Sequence, residues 1–397
     1  MSEDKIVRVS APGRTEICGN HTDHQNGKVL AAAINLEIEA NVEKPDIMSQ
    51  DKDIVRMASE GIMIPDIDVT DLKMRQDEKG TSAGLIRGVL YYLKMKGFII
   101  GGFSATTVSK VLQGSGLSSS AAFETLIGRI ISKLYNGDVI DPLTIAEAGH
   151  FAENEYFGKP CGLMDQCACS FGGIVSIDFK NTKKPEVERV YTPSEGSKSP
   201  IEKMGLKLCI VDTGGNHADL TDDYAAIREE MVRVAGFFGK EVLREVNEDE
   251  FYAALGGLSS FSNTYGDQVA SIYDYCSDRA LLRAIHFFNE EKRVDSAVKA
   301  LNEADKEEFL KNIKLSGESS FKYLQNVYSP AHPEIQKVSK CLALSEMILG
   351  DKGVARVHGG GFAGTVQVFV NEDFADNYKL EIERYFGNDS CKILNII

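Results

Sequence analysis

The segment Ala11–Gly27, APGRTEICGNHTDHQNG, sets one arginine, two acids, two histidines and two asparagines within seventeen positions, punctuated by three glycines and a proline. It has too few apolar residues for a core element and too many hydrogen-bonding groups for an ordinary loop. Carboxylates and amides in a fixed array suit the several hydroxyls of a polyol, and Arg14 suits a phosphate. A second run, Gln113–Ala122 (QGSGLSSSAA), stands directly before an amphipathic stretch. Gly114 and Gly116 let the backbone turn tightly, Ser118, Ser119 and Ser120 add hydroxyls, and a helix starting here adds its N-terminal partial charge. Together they make an anion cradle. No lysine follows the glycines, so the run is neither a Walker A loop nor GxGxxG. Read alone, the serines could equally cap a helix.

Two further runs carry chemistry. Glu153–Gly173, ENEYFGKPCGLMDQCACSFGG, holds Glu153 and Asp165 twelve residues apart. Taken singly, Glu153 could be a solvated helix-face acid, with Glu155 close enough to be confused with it, and Asp165 a turn-stabilising one. Arg356–Val370, RVHGGGFAGTVQVFV, follows a triple glycine with an alternating apolar strand, which allows close backbone approach to a ligand or another segment. His358 beside it could meet a phosphate or stand exposed. Tyr224, in TDDYAAIREEM, could face a ligand or the core of an amphipathic helix.

The elements that must position these residues read as follows. Strands are expected at Lys5–Ser10 and Val29–Glu39, followed by a polar, irregular region over Pro45–Lys79. Helices are expected over Leu85–Lys96, Ser119–Tyr135, Leu143–Glu155 and Thr221–Phe238, from apolar residues recurring at helical spacing. Further strands are expected at Phe103–Val111, Gly172–Phe179, Ala355–Val357, Val366–Val370 and Lys392–Ile396. The Lys-, Pro-, Glu- and Ser-rich stretch Lys180–Lys203 reads as the crossing between two domains, 1–203 and 204–397. Strands interleaved with segregated helices point to α+β rather than a doubly wound sheet.

At 397 residues the chain is long enough for two cores. Its net charge of −15, with no compensating basic tract, argues against nucleic acid or an anionic membrane as the main partner. No apolar run approaches a membrane span and the N-terminus lacks a signal-peptide core, so cytoplasmic residence is the default expectation. The eight cysteines are scattered with no CxxC pair, and read as small buried apolar residues rather than a disulfide or zinc framework. Monomer and homodimer both remain open.

The first segment closely resembles the galactokinase signature, usually GRxNLIGEHTDYxxGxVL. Gly13, Arg14, Gly19, His21, Thr22, Asp23, Gly27, Val29 and Leu30 match it, with Ile17 for leucine. Glu16 stands for asparagine, Cys18 for isoleucine, Asn20 for glutamate and His24 for tyrosine. The serine run resembles the phosphate loop of the GHMP kinases (galactokinase, homoserine kinase, mevalonate kinase and phosphomevalonate kinase), PxxxGLxSSAA, with Leu112 at the proline position. Gly158–Gln166 resembles GxPCGIMDQ of galactokinases, and the triple glycine resembles TGGGFGGCxxALV, with His358 and Ala363 as departures.

The resemblance implies a two-domain GHMP kinase fold, an N-terminal mixed-sheet domain and a C-terminal ferredoxin-like α+β domain, with the active site between them. It implies that Gly114, Gly116, Leu117, Ser118, Ser119, Ser120 and Ala121 hold ATP, with Ser119 at the β/γ-phosphates. Ser120 and Glu153 would then ligate Mg²⁺, and Asp165 would face the anomeric hydroxyl of the sugar with Arg14 beside it. Asn20, His21, Asp23, Gly162 and Tyr224 fall at sugar-binding positions. Asp23 and His21 keep the reading of a galacto-configured sugar, D-galactose first. The usual glutamate at position 20 contacts O6, so Asn20 removes a hydrogen bond of about 1.5–3 kcal/mol. It also removes a charge that would repel a C6 carboxylate by about 4 kcal/mol at 4 Å. Galacturonate is therefore the second reading, and a non-catalytic sugar sensor the third.

Overall fold

The computed structural model describes residues 6–46, 48–111, 116–159, 161–182, 184–215, 220–257 and 271–397. Seven strands make the first sheet: β1 (Ile6–Cys18), β2 (Lys28–Glu43), β3 (Ile54–Ser59), β4 (Ile62–Asp68), β5 (Phe103–Ser109), β6 (Ile174–Asp178) and β7 (Glu186–Tyr191). Their order is β4-β3-β5-β2-β6-β7, with β1 antiparallel along β2. The long strand β2 serves both β6, through its first residues, and β5, through its last. The β3–β5 pair is parallel and makes the sheet mixed. A second sheet of β8 (Leu206–Asp212), β9 (Gly353–Val357), β10 (Thr365–Asn371) and β11 (Cys391–Leu394) is antiparallel throughout, ordered β11-β8-β10-β9. This is an α+β architecture.

Helices α1 (Ser82–Met95), α2 (Ser119–Tyr135), α3 (Pro142–Phe151) and α4 (Met164–Phe171) pack on one another and against the first sheet. In α2 the apolar stripe Leu126, Ile127, Ile130 and Ile131 is fully buried, and Gly137 just past its end takes the left-handed conformation. The two sheets share one core, in which Ile34 and Leu90 belong with Leu206, Phe309, Phe369 and Ile396. The C-terminal residues cross to the first sheet: Ile397 N–H donates to Ala33 O (3.1 Å), and Ile34 bridges Ile396.

Three expectations change. The region Pro45–Lys79 contains the β3–β4 hairpin. Only Val55, Met57, Ile64 and Ile67 of these two strands are buried, too sparse an apolar pattern to announce them. The stretch Lys180–Lys203 contains β7, an edge strand whose charged residues hide the backbone ladder holding it to β6. And β1 continues through Cys18, past the expected strand end at Ser10, so the polar signature begins as a buried strand. Among the described residues no helix is long and apolar enough to cross a membrane. Seven of the eight cysteines are buried and Cys161 is partly so.

Close approach fixes one glycine. A Cβ on Gly13 would stand 2.9 Å from Leu117 O and 3.1 Å from Val111, where β1 meets the serine run. Gly13→Ala is expected to push these segments apart, costing about 1–3 kcal/mol in urea unfolding. An unchanged midpoint would contradict this packing.

Candidate active site

Arg14, near the middle of β1, reaches Asp165 in the first turn of α4. Its Nε donates to Oδ1 and its Nη2 to Oδ2, both at 2.8 Å, a bidentate fork. Nη1 donates to Gly116 O, and the Arg14 N–H to Leu117 O (3.1 Å), so one residue ties strand, phosphate-type loop and carboxylate together. Arg14 is buried, whereas Asp165 keeps 32% of its side chain exposed. Burial alone would raise the Asp165 carboxyl. The Arg14 charge and hydrogen bonds, with one from Ser118, outweigh it and hold the group below its ordinary value.

Ser118 sits at the N-cap of α2 in the left-handed region (φ 59°) and makes no side-chain cap bond. Its hydroxyl donates to Asp165 instead. Simple helix capping therefore does not explain this serine. Ser119, half-buried, Ser120 and the buried Ala121 form the first turn behind it. The Ser120 hydroxyl donates to Glu153 Oε1 (3.2 Å), which also accepts from Lys159 Nζ (3.2 Å). Glu153 Oε2 accepts from Gln166 Nε2 (2.9 Å), which also donates to the fully buried Glu124 (3.0 Å). Burial, with Glu153 nearby, raises the Glu124 carboxyl well above the usual range. Gly114 lies outside the described residues.

The second part of the signature forms a tight turn. Asp23 abuts Gly162 so closely that a Cβ there would stand 2.5 Å from Asp23 Oδ2. Both line a cavity of about 650 Å³ together with His24, His150, Asn154, Phe179 and Arg228. Asn20, His21, Tyr224 and Asp165 are not among its lining residues. His21 is buried, its ring Nε2 2.9 Å from Gly360 O. The Tyr224 hydroxyl donates to Gly361 O (2.9 Å), so this tyrosine braces the glycine run. Asn20 is fully buried, and its amide is taken up by Glu16, Gly359, Asn326 and Ser320. His358 is not exposed: it lies buried between Thr15 Oγ1 (3.0 Å) and Thr365 Oγ1 (2.9 Å).

Sequence reasoning missed several partners. Arg356 lies fully buried on β9 and donates to Glu16 (2.8 Å) and to Ile17 O (2.5 Å). Glu290, on the helix Asp278–Glu303, accepts from the Gly19 N–H (3.1 Å) and from Arg293 (2.6 Å). Neither carries a local sequence signal. Arg228 does carry one, since it follows Tyr224 by four residues and shares its helix face.

The sequence matches two family models, the GHMP kinases N terminal domain over residues 84–173 and the galactokinase galactose-binding signature over residues 2–44. Among solved structures, the Lactococcus lactis galactokinase complexed with galactose aligns with a TM-score of 0.75 at 21% identity, covering 99% of this chain and 94% of that one. The Methanococcus jannaschii mevalonate kinase aligns at 0.64 and 17% identity, covering 100% of both chains. The Streptococcus pneumoniae phosphomevalonate kinase aligns at 0.60 and 12% identity, covering 99% of this chain and 100% of that one. The chain thus has the α+β fold that these kinases share. Its sequence likeness to galactokinases and other GHMP kinases lies in those two matched segments.

Buried histidines give the assembly a pH dependence. Burial, with His24 alongside, pushes the His21 imidazole down from 6.5 to about 3. Burial lowers His150, His286 and His358 in the same sense. The unfolded chain binds the His21 proton near pH 6.5, the folded chain only near pH 3. The resulting stability is complete above pH 6.5 and is lost progressively as pH falls toward 3, at about 1.4 kcal/mol per unit. Urea midpoints are expected to fall steadily below pH 6.5, and His21→Gln to make that fall shallower. A midpoint constant from pH 7 to 4.5 would contradict the burial argument.

Proposed function

We propose that this chain is a sugar 1-kinase that moves the γ-phosphoryl group of MgATP onto the anomeric C1 hydroxyl of a galacto-configured hexose, D-galactose first. The observation that carries the reading is the Arg14 fork on Asp165, set against Ser118 at the N-terminus of α2. Backbone N–H groups of the serine run and the helix N-terminus receive the phosphates. Asp165, held ionised, orients the C1 hydroxyl and accepts its proton late. The new O–P bond forms as the bond from the γ-phosphorus to the bridging oxygen breaks, and ADP leaves with that electron pair. Arg14, between Asp165 and Gly116, neutralises charge on the equatorial oxygens.

Ser120 and Glu153 offer hard oxygen donors of the kind Mg²⁺ takes, with phosphate oxygens and water completing the shell. The ion, when bound, neutralises the β- and γ-oxygens. Lys159, paired with Glu153 at 3.2 Å and largely exposed, is a cation that would trade that partner for a phosphate. The proposed domains, 1–203 and 204–397, contribute the serine run and the glycine run respectively. Asp23, Gly162 and His21 support a sugar on the signature side. One observation favours galacturonate as the second reading: Arg228 and His24 line the cavity that holds Asp23, where a C6 carboxylate would find a cation. The presence of Ser119, Ser120, Ala121 and Asp165 favours turnover over a sensor.

ADP release with MgATP is to be measured against galactose, galacturonate, N-acetylgalactosamine and arabinose. Galactose is expected to turn over best, and Asp165→Asn to lower kcat by about 10²–10⁴-fold. Turnover on none of the four would sink the kinase reading. Turnover on galacturonate alone, with a KM raised by Arg228→Met, would establish the second reading over the first.

A further inference from the structure

The two signature positions that exchange residue types are Glu16, where the usual form has an asparagine, and Asn20, where it has a glutamate. They touch: Asn20 Nδ2 lies 3.2 Å from each Glu16 carboxylate oxygen. We infer that Glu16 and Asn20 are a positioning pair that fastens the triple-glycine run and its flanking helices to the signature strand, and that neither reads the sugar. Only the selectivity part of the inference rests on the sugar-kinase reading.

The hydrogen-bond inventory carries the argument. A primary amide has two donors and two acceptor sites. Asn20 Nδ2 donates to Glu16 and to Gly359 O (2.7 Å), while Oδ1 accepts from Asn326 Nδ2 (2.8 Å) and from Ser320 Oγ (3.4 Å). Its backbone carbonyl lies 2.9 Å from His286 Nε2. All four valences of the side chain are therefore filled by protein, from residues 300 or more positions later in three of the four contacts. With no exposed surface, nothing remains to meet a hydroxyl or carboxylate of a substrate.

Glu16 supplies the charge balance. Arg356 is buried with no exposure, and its Nη2 donates to Glu16 Oε1 at 2.8 Å. One carboxylate, one amide and one guanidinium thus share a dry seam. The carboxylate stands at 16 instead of 20, but the sum of charges is the same in either order. Two carboxylates 3.2 Å apart on one arginine would repel. Two amides would take from the buried guanidinium the carboxylate it hydrogen-bonds and leave it only the electrostatic field of Glu290, which is destabilising. Only a paired exchange preserves the seam, so the departure at Asn20 says nothing about the group at C6.

The test is a double-mutant cycle on the full chain: Asn20→Glu, Glu16→Asn and both together. Melting temperature and the galactose-to-galacturonate ratio of kcat/KM are read for each. Each single change is expected to lower Tm by about 5 °C, and the double exchange to recover most of that loss. The sugar ratio is expected to stay within about threefold of the parent, against the tenfold or more that losing a directly read hydroxyl gives. A Tm unaltered by Asn20→Glu, or a double variant no better than the sum of the singles, would overturn the inference. So would a tenfold gain for galactose in Asn20→Glu alone. If neither single variant folds, a soluble double exchange supports the pair and an insoluble one refutes it. If the parent turns over no sugar, the kinase reading fails while the melting data still decide this inference.

Discussion

The site depends on removing a charged strand from water with its charges intact. Arg14, Thr15, Glu16, Asn20, His21 and Thr22 are all buried, and each buried ion carries a desolvation cost of several kcal/mol unless it is paired. No local residue supplies the pairs. Arg14 finds Asp165, 151 residues later, and Glu16 finds Arg356, 340 residues later. Gly19 N–H and Cys18 find Glu290 on a helix of the second half. The signature becomes stable only when both sheets have closed around it.

That constraint explains how the chemistry is placed. The Arg14 fork fixes Asp165 in one orientation, and the same guanidinium reaches the Gly116 carbonyl, so carboxylate and loop cannot move independently. Ser118 adopts a left-handed backbone, uncommon for a residue with a side chain, and spends its hydroxyl on Asp165 rather than on its helix. Gln166, next along α4, splits its two donor hydrogens between Glu153 and Glu124. The candidate cation ligand is thereby held from the same helix as the candidate proton acceptor. Solvent reaches Asp165, the serines Ser118–Ser120 and the cavity beside Asp23.

Legibility followed physical signal. The helix Ser119–Tyr135 could be bounded from sequence because its apolar stripe and its terminal glycine act locally. The β3–β4 hairpin and β7 could not, because edge strands are held by backbone hydrogen bonds that any residue can make. The signature misled in one respect: it has too few apolar residues to read as a core element, yet partners from several distant elements satisfy its polarity in the interior. His358 was misread for the same reason, since a histidine between two threonine hydroxyls needs no solvent. Arg228 shares a helix face with Tyr224, but that it lines one cavity with His24 was decided by the fold.

By itself, the sequence determined the class of chemistry. Glycines and serines ahead of an amphipathic helix make an anion cradle, a property of a short segment set by backbone geometry and side-chain type. Phosphoryl transfer to an alcohol was implied by the resemblance of several such segments to kinase motifs. Which signature residues face the cavity and which face protein was decided only by tertiary structure. Asp23 and Asn20 are three residues apart and equally polar. One meets the cavity, while the other is sealed behind Gly359 and Asn326, because hydrogen-bond partners for a buried amide arrive only when distant chain segments pack.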